Sequence, residues 1–165
     1  TEIDTLSLHD ALPIYPQVET IGSGKQIVTG GKINFNAGEA TLDAASLKTI
    51  SMIADRVRGL NNVLMIKGHV SADEAALRPD DANAMGLSYR RAVAVADELA
   101  KLGIDRRVLR PMACGPFEPL KTGVYDAEGL RQNRRVEIFT TDHTASEYFH
   151  PATVPASTSS APAEE

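Results

Sequence analysis

The 165-residue sequence carries a formal net charge of −5, and 42% of its residues are hydrophobic. This length and apolar content suit one domain with a buried core. The acidity, together with the lack of a concentrated Lys/Arg run, disfavours nucleic acid as a partner, because phosphate binding needs a basic surface. A single cysteine, Cys114, excludes an intrachain disulfide framework.

The two ends of the sequence differ in character from its middle. Residues 1–14 resemble translated sequencing-adapter read-through, and residues 1–24 are predicted to lie outside the domain. Residues 143–165 are rich in Pro, Ala and Ser with little to bury, which predicts a disordered tail. The predicted domain therefore spans residues 25–142. Neither a signal peptide nor an apolar membrane span is recognisable, so any membrane anchor is expected in a missing N-terminal segment.

Segments typical of strands and helices alternate along the predicted domain. The run KQIVTGGKINF predicts two short strands, or one strand broken at Gly30 and Gly31. A first helix is predicted after it, capped by Thr41 or Asp43 and ended at Gly59. The nearly continuous apolar run within NVLMIKGH predicts a central strand that is covered on both faces.

The second half of the predicted domain begins with a long polar loop from His69 to about Gly86. A second helix follows, with Ser88 as its predicted N-cap and Gly103 as its end. The runs RRVLRPMACG and NRRVEIFTT predict the last two strands. The predicted order is β-α-β-α-β-β, so the expected fold class is α/β, an α+β sandwich with two main helices packed on a mixed sheet.

Arg91 is unusual because it shares a helical face with the apolar residues Leu87, Val95 and Leu99. If Ser88 caps the helix, Arg91 lies in the first turn, where unpaired N–H groups and the helix dipole favour negative charge. A guanidinium on the apolar face is expected to be at least partly desolvated, and it then needs a counter-charge. The pattern therefore predicts a carboxylate held by Arg91 in bidentate geometry.

The source of that carboxylate is left open by the pattern. The preceding loop contains four acidic residues that qualify: Asp73, Glu74, Asp80 and Asp81. An external ligand that presents a carboxylate, a small molecule or a peptide, satisfies the same requirement. Helical periodicity does not separate these two alternatives.

Four motifs carry a family resemblance. IKGHVS, LSYRRAVAVADELAKLGI, ACGPFEPL and NRRVEI occur in the order and approximate spacing of the peptidoglycan-binding domain found at the C-terminus of OmpA and of the flagellar stator protein MotB. The resemblance extends from Lys25 to Thr141. It implies a periplasmic domain that binds the diaminopimelate of cell-wall peptide stems.

The resemblance also implies a set of ligand-binding residues: Ser71, Asp73, Asn83, Arg91 and Arg135. Arg91 matches the arginine of the family's LSxxRA motif, whereas Ser71 stands where the family has an aspartate. A serine offers only a neutral hydroxyl to the ligand's ammonium group, so Asp73 is expected to supply the charge. Asn83 lies one place further from Leu87 than the family's loop asparagine.

The closing NRRVE motif contributes two adjacent arginines, Arg134 and Arg135. One of them is expected to face the ligand site, and the other to face solvent or a structural carboxylate. Arg135 is the one included in the predicted site.

No metal, cofactor or catalytic residue is predicted. His69 is expected to form a structural hydrogen bond at a strand end, and no second histidine lies at zinc-ligand spacing from it. Cys114 has no histidine near it in sequence and is interpreted as a small buried residue.

The expected function is that of a noncatalytic peptidoglycan-binding module that anchors a membrane protein or complex to the cell wall. Its expected partners are the peptide stem and, in a flagellar-motor or outer-membrane setting, a membrane protein or a second copy of the chain. The expected location is the periplasm or cell envelope. The alternative is a structural or interaction domain of the same fold whose pocket is lost or filled by its own loop carboxylate.

Overall fold

A computed structural model of the chain describes residues 18–21, 24–28, 32–77 and 81–148. In chain order, the elements are β1 (Val18–Ile21), β2 (Gly24–Val28), β3 (Ile33–Asn34), α1 (Ala44–Val57), β4 (Asn62–His69), α2 (Ala72–Ala76), α3 (Asp81–Lys101), β5 (Leu109–Gly115), α4 (Ala127–Asn133), β6 (Arg135–Thr144) and α5 (Ala145–Tyr148). The predicted read-through segment, 1–14, and residues 149–165 of the predicted tail lie outside the described residues. The predicted domain limits of 25 and 142 are too narrow, because β1 pairs with β2 and β6 runs to Thr144.

The strands form one mixed sheet in the order β1-β2-β6-β4-β5, and β3 also pairs with β6. The central strand β4 runs parallel to β5 and antiparallel to β6. The run KINF contributes only the short β3, and β2 is a separate strand, so the two-strand interpretation of KQIVTGGKINF is confirmed. The predicted α/β class with a mixed sheet is likewise confirmed.

The core lies between one face of the sheet and the helices α1 and α3. It is built from apolar side chains at helical spacing in α1 and α3 and from alternate residues of the strands: Ile50, Ile53, Val57, Leu64, Ile66, Val95, Leu99, Val136 and Ile138. Each of these is at most 2% exposed, and burying such a side chain contributes roughly 1.5–3 kcal/mol.

The predicted ends of α1 are confirmed, and the structure chooses between the two candidate caps. Asp43 is the N-cap, because its Oδ1 accepts a hydrogen bond of 2.7 Å from the Ser46 N–H. After the helix, Gly59 takes a φ of 80°, the left-handed conformation that ends helices without a steric penalty.

The predicted start of the second main helix is wrong. The helix α3 begins at Asp81, and Ser88 lies in its interior, where its hydroxyl donates to the Met85 carbonyl at 2.8 Å. The extra turns form because Ala84 and Leu87 pack into a small apolar cluster with Val70. Tertiary packing thus turns about a third of the predicted loop into the first turns of α3.

Three short helices were not predicted, and one of them, α5, lies in the segment from residue 143 that was predicted to be disordered. α2 lies inside the expected loop after His69, and α4 lies between the last two strands. Each is shorter than the windows over which helical periodicity can be recognised. α4 is nevertheless capped by Asp126, which accepts a hydrogen bond of 2.8 Å from the Gly129 N–H. Over the described ranges, no helix combines the length and apolarity that crossing a membrane requires.

The contact between α3 and β4 depends on Gly68. A Cβ added there would lie 1.9 Å from the Ser88 carbonyl oxygen and 3.3 Å from the Ala92 Cβ. The nearest atom belongs to the helix backbone, which cannot move away by a change of side-chain rotamer. The glycine before His69 therefore sets how closely the helix that carries Arg91 approaches the sheet.

Gly68→Ala is expected to lower the free energy of unfolding by about 1–3 kcal/mol or more, because it overpacks the helix–strand contact. Gly86→Ala is the matched control. A Cβ at Gly86 meets nothing nearer than an Arg90 side-chain nitrogen at 3.5 Å, so this change is expected to raise stability by up to about 1 kcal/mol. Urea denaturation of both variants measures the difference, and equal stability of the two would contradict the close approach.

Candidate functional site

Arg91 is fully buried in the middle of α3. Its exposed fraction is 0%, and Leu87 and Val95 on the same helical face are equally buried. The predicted desolvation is therefore confirmed. The argument from the helix dipole is wrong, because α3 begins ten residues earlier, at Asp81, and Arg91 is not in the first turn. The charge is compensated by side-chain and loop groups instead.

The counter-charge is the carboxylate of Glu74, on the short helix α2. Arg91 Nη2 lies 2.5 Å from Glu74 Oε1, and Nη1 lies 2.9 Å from Oε2. The pair is bidentate, and Glu74 is itself only 2% exposed. Of the two alternatives left open by the sequence, the structure contains the chain's own carboxylate.

Three backbone carbonyls take the remaining N–H groups of Arg91. Nε donates to Glu39 O at 2.8 Å, Nη1 to His69 O at 3.0 Å and Nη2 to Asn36 O at 3.0 Å. A guanidinium has five N–H donors, and each has a partner here. The Phe35 ring lies against the guanidinium, 5.2 Å from Cζ to the ring centroid. No N–H of Arg91 is left for an incoming carboxylate in this arrangement.

Both carboxylate oxygens of Glu74 accept hydrogen bonds from the backbone as well as from Arg91. Its Oε1 accepts from the Gly38 N–H at 2.7 Å, and its Oε2 accepts from the Ser71 N–H at 3.0 Å. Burial by itself raises the pKa of the Glu74 carboxyl, but the hydrogen bonds from Arg91, Gly38 and Ser71 outweigh it and hold the pKa below its ordinary value. Glu74 is therefore ionised at neutral pH, as a counter-charge must be.

Two of the other predicted site residues lie beside this ion pair. Ser71 is fully buried as the N-cap of α2, and its hydroxyl contacts both the Asp73 and the Glu74 carboxylates. The Asp73 side chain is 39% exposed, and its Oδ2 lies 3.4 Å from Nη1 of Arg134. Asp73 and Arg134 thus form an ion pair near the solvent boundary, next to the buried one.

Asn83 and Arg135 are not brought into contact with Arg91. Asn83 is exposed on the first turns of α3. Arg135 is buried, but its Nε bonds Glu137 at 2.7 Å and its Nη2 bonds the Glu118 carbonyl at 3.1 Å. Arg134 is therefore the arginine of the NRR motif that lies beside Asp73, and Arg135 meets a structural carboxylate. Sequence alone does not decide this, because adjacent residues at the start of a strand exchange faces with a register shift of one.

A second group of polar side chains was missed by sequence reasoning. One ring nitrogen of His69, Sγ of Cys114 and a carboxylate oxygen of Glu118 lie within 4.8 Å of one another. The expected structural hydrogen bond of His69 is not found: neither ring nitrogen has a hydrogen-bond partner among the residues described. Burial lowers the pKa of His69 to about 3, and the charges of Arg135 and Lys67 add to the effect, so the ring is neutral.

Arg91→Ala is expected to lower the free energy of unfolding by about 3–5 kcal/mol, because it leaves the Glu74 carboxylate buried without its counter-charge. The adjacent Arg90 is exposed, and Arg90→Ala is expected to change stability by less than about 0.5 kcal/mol. Chemical denaturation followed by circular dichroism measures both. A loss below about 1 kcal/mol for Arg91→Ala would show that the pair does not stabilise the fold.

The stability that Glu74 contributes is expected to depend on pH. Because its folded-state pKa lies below the ordinary value, the contribution is present at neutral pH and is lost as the pH falls below about 4, through the folded pKa. The difference in unfolding free energy between wild type and Glu74→Gln should therefore shrink on acidification in high salt. Asp55→Asn, an exposed change on α1, is the control, and a difference that is constant with pH would contradict the assignment.

Comparisons with known proteins agree with this architecture. The sequence model of the OmpA family matches residues 34–134. The periplasmic domain of Helicobacter pylori MotB has 22% identity and a TM-score of 0.61, over 80% of this chain and 92% of that chain. The peptidoglycan-associated lipoprotein of Burkholderia pseudomallei has 19% identity and a TM-score of 0.59, over 66% of this chain and 88% of the other.

A third similar structure is the OmpA-like domain of FopA1 from Francisella tularensis subsp. tularensis SCHU S4, with 23% identity and a TM-score of 0.57, over 76% of this chain and 79% of that one. The search among curated proteins gave no match. At these identities the structures establish the fold, and the family match, which spans more than half of the sequence, establishes membership. The chain belongs to the OmpA family.

Proposed function

We propose that this chain is a noncatalytic domain that anchors a protein or complex in the bacterial cell envelope, and that its Arg91 is a fold element and not a ligand contact. Membership of the OmpA family supports the first part. Similar folds include a peptidoglycan-associated lipoprotein and a periplasmic domain of MotB, both named for an envelope setting. A periplasmic or envelope location is part of this proposal.

The observation that supports the second part is the saturation of Arg91. Glu74 occupies the position in which a ligand's carboxylate would meet the guanidinium, and three carbonyls take its other N–H groups. An incoming carboxylate would have to displace Glu74 and leave that ion buried without a partner. The cost of such a broken pair is about 3–5 kcal/mol, which removes about two to four powers of ten in affinity.

A titration with a diaminopimelate-containing muropeptide tests this assignment. Wild-type chain is expected to show no binding at the Arg91 site tighter than about 1 mM. Nitrogen-15 NMR detects such binding through the side-chain Nε–H resonance of Arg91 and the amide of Gly38. Submillimolar binding that moves both signals and is lost in Arg91→Lys, with Arg90→Lys unaffected, would contradict the fold-element assignment.

A second candidate is recognition of the diaminopimelate of the peptide stem at the ion pair of Asp73 and Arg134. The pair is long, at 3.4 Å, and Asp73 is 39% exposed. Nε of Arg134 has no hydrogen-bond partner within the described part of the chain. Diaminopimelate carries an ammonium beside a carboxylate, so Asp73 and Arg134 offer the complementary charges at the rim of the closed site.

Separate variants distinguish this candidate from a domain that does not bind the stem. Asp73→Asn and Arg134→Gln are expected to weaken muropeptide binding at least tenfold if the rim pair is the site. Asp55→Asn and Arg56→Gln, two exposed changes on α1, are the charge-matched controls. Failure of wild-type chain to bind the muropeptide or isolated sacculi would leave an envelope scaffold that acts through protein contacts, with its pocket filled by Glu74.

A further inference from the structure

The second polar group lies on the sheet face opposite α3. Leu64 and Ile66 of β4 point into the core with the helices, so alternation sends Lys67 and His69 to the other face. The strands β4 and β5 are parallel neighbours, and an irregularity after Gly68 pairs His69 with Gly115. Cys114, one residue earlier on β5, is thereby placed beside His69, and Glu118 follows in the next loop.

His69 has an unusual environment for a histidine. It is 1% exposed, and both of its ring nitrogens lack a hydrogen-bond partner among the described residues. A neutral imidazole has one N–H donor and one acceptor nitrogen, and burying them unpaired costs free energy. Buried polar groups of native proteins nearly always have a partner, so this ring calls for one.

We propose that His69, Cys114 and Glu118 form a binding site for a divalent transition metal of the Zn²⁺ class. The donor set consists of an imidazole nitrogen, a thiolate and a carboxylate, which are the three ligand types that zinc prefers. A set that mixes sulfur and nitrogen selects against Mg²⁺ and Ca²⁺, which take oxygen ligands. With three protein ligands, the fourth position of a tetrahedral site is left for water.

The distances fit a site that closes by a small movement. The three donor atoms lie within 4.8 Å of one another, whereas ligands around tetrahedral zinc are about 3.5 Å apart. Glu118 is the member with room to move, because its side chain is 55% exposed and its carboxylate makes one long contact among the described residues, with Lys67 Nζ at 3.4 Å. Rotation of this carboxylate toward the other two donors closes the set, and its exposure provides the route by which the ion reaches the buried histidine.

Before the ion binds, the charged side chains around the site sum to zero. Lys67 and Arg135 contribute two positive charges, and Glu118 with Glu137 contributes two negative ones. Binding of the ion displaces the Cys114 thiol proton to solvent and leaves a thiolate, so the ion brings a net gain of one positive charge. The Arg135 Nη2 that donates to the Glu118 carbonyl at 3.1 Å fixes the backbone of this ligand.

The test titrates Co²⁺ and Zn²⁺ alone into the reduced full-length chain. Co²⁺ is expected to give the intense near-ultraviolet band of a thiolate ligand, with visible bands typical of tetrahedral coordination, and one equivalent of Zn²⁺ should abolish both. Cys114→Ser is expected to remove the thiolate band, and Glu118→Gln to weaken binding at least tenfold. Absence of the thiolate band from wild-type chain would overturn the proposal.

The exposed residue His143 supplies the control for nonspecific binding, because it lies beside Asp142 and Glu147. His143→Gln is expected to leave the thiolate band and the affinity unchanged. If this variant loses the binding and Glu118→Gln does not, the ion is held by His143 with Asp142 and Glu147, and the proposal fails. Glu118 is exposed, so its variant should fold and keep the result interpretable.

Thermal unfolding provides a second readout. A ligand that binds only the folded state stabilises it, so a saturating excess of Zn²⁺ should raise the Tm of wild-type chain. The rise should be absent in Cys114→Ser and smaller in Glu118→Gln, whereas His143→Gln should show it in full. An equal rise in all four proteins would overturn the site. This result does not depend on muropeptide binding, so failure of the envelope proposal leaves it standing.

Discussion

The buried ion pair of Arg91 and Glu74 is the interaction on which the helical side of this domain depends. Through one guanidinium it connects α3 to α2, to the end of β4 at His69 and to the loop that carries Asn36 and Glu39. A buried pair of this kind adds little net stability over an apolar replacement, yet breaking it is expensive. Its value lies in specificity, because five directional hydrogen bonds at one point fix how four segments meet.

The same ion pair determines which carboxylate Arg91 contacts. Arg91 was expected to meet a carboxylate from either a ligand or the chain itself, and the chain's own Glu74 meets it. Ser71 belongs to the same arrangement: it caps α2 and donates its N–H to Glu74, whereas an aspartate there would place a second carboxylate beside the first. The more exposed charged groups lie beside the buried pair, where Asp73 and Arg134 form an ion pair of 3.4 Å near the solvent boundary.

The two faces of the sheet therefore carry different chemistry. The face toward α3 contributes apolar side chains such as Leu64 and Ile66 to the core, and the saturated ion pair contacts its edge at the His69 carbonyl. The opposite face holds the unsatisfied ring of His69 beside a thiol and a carboxylate. Because β4 contributes to both, with Gly68 against the helix and His69 pointing away from it, a single dipeptide sets the helix distance on one side and supplies a candidate metal ligand on the other.

The sequence by itself determined the α/β class, the central strand, the ends of α1 and α3 at Gly59 and Gly103, and the need of Arg91 for a carboxylate, because these follow from local periodicity, capping chemistry and the cost of burying a charge. It left two candidates for the N-cap of α1, and the structure selects Asp43. Tertiary structure decided the rest. Four loop carboxylates satisfied the local rule equally, and only the path of α2 brings Glu74 to the guanidinium. The helix α3 begins earlier than the sequence predicted because Leu87 and Ala84 pack against Val70. His69 and Cys114 are far apart in sequence and meet only through strand pairing, whose register is a property of the whole sheet.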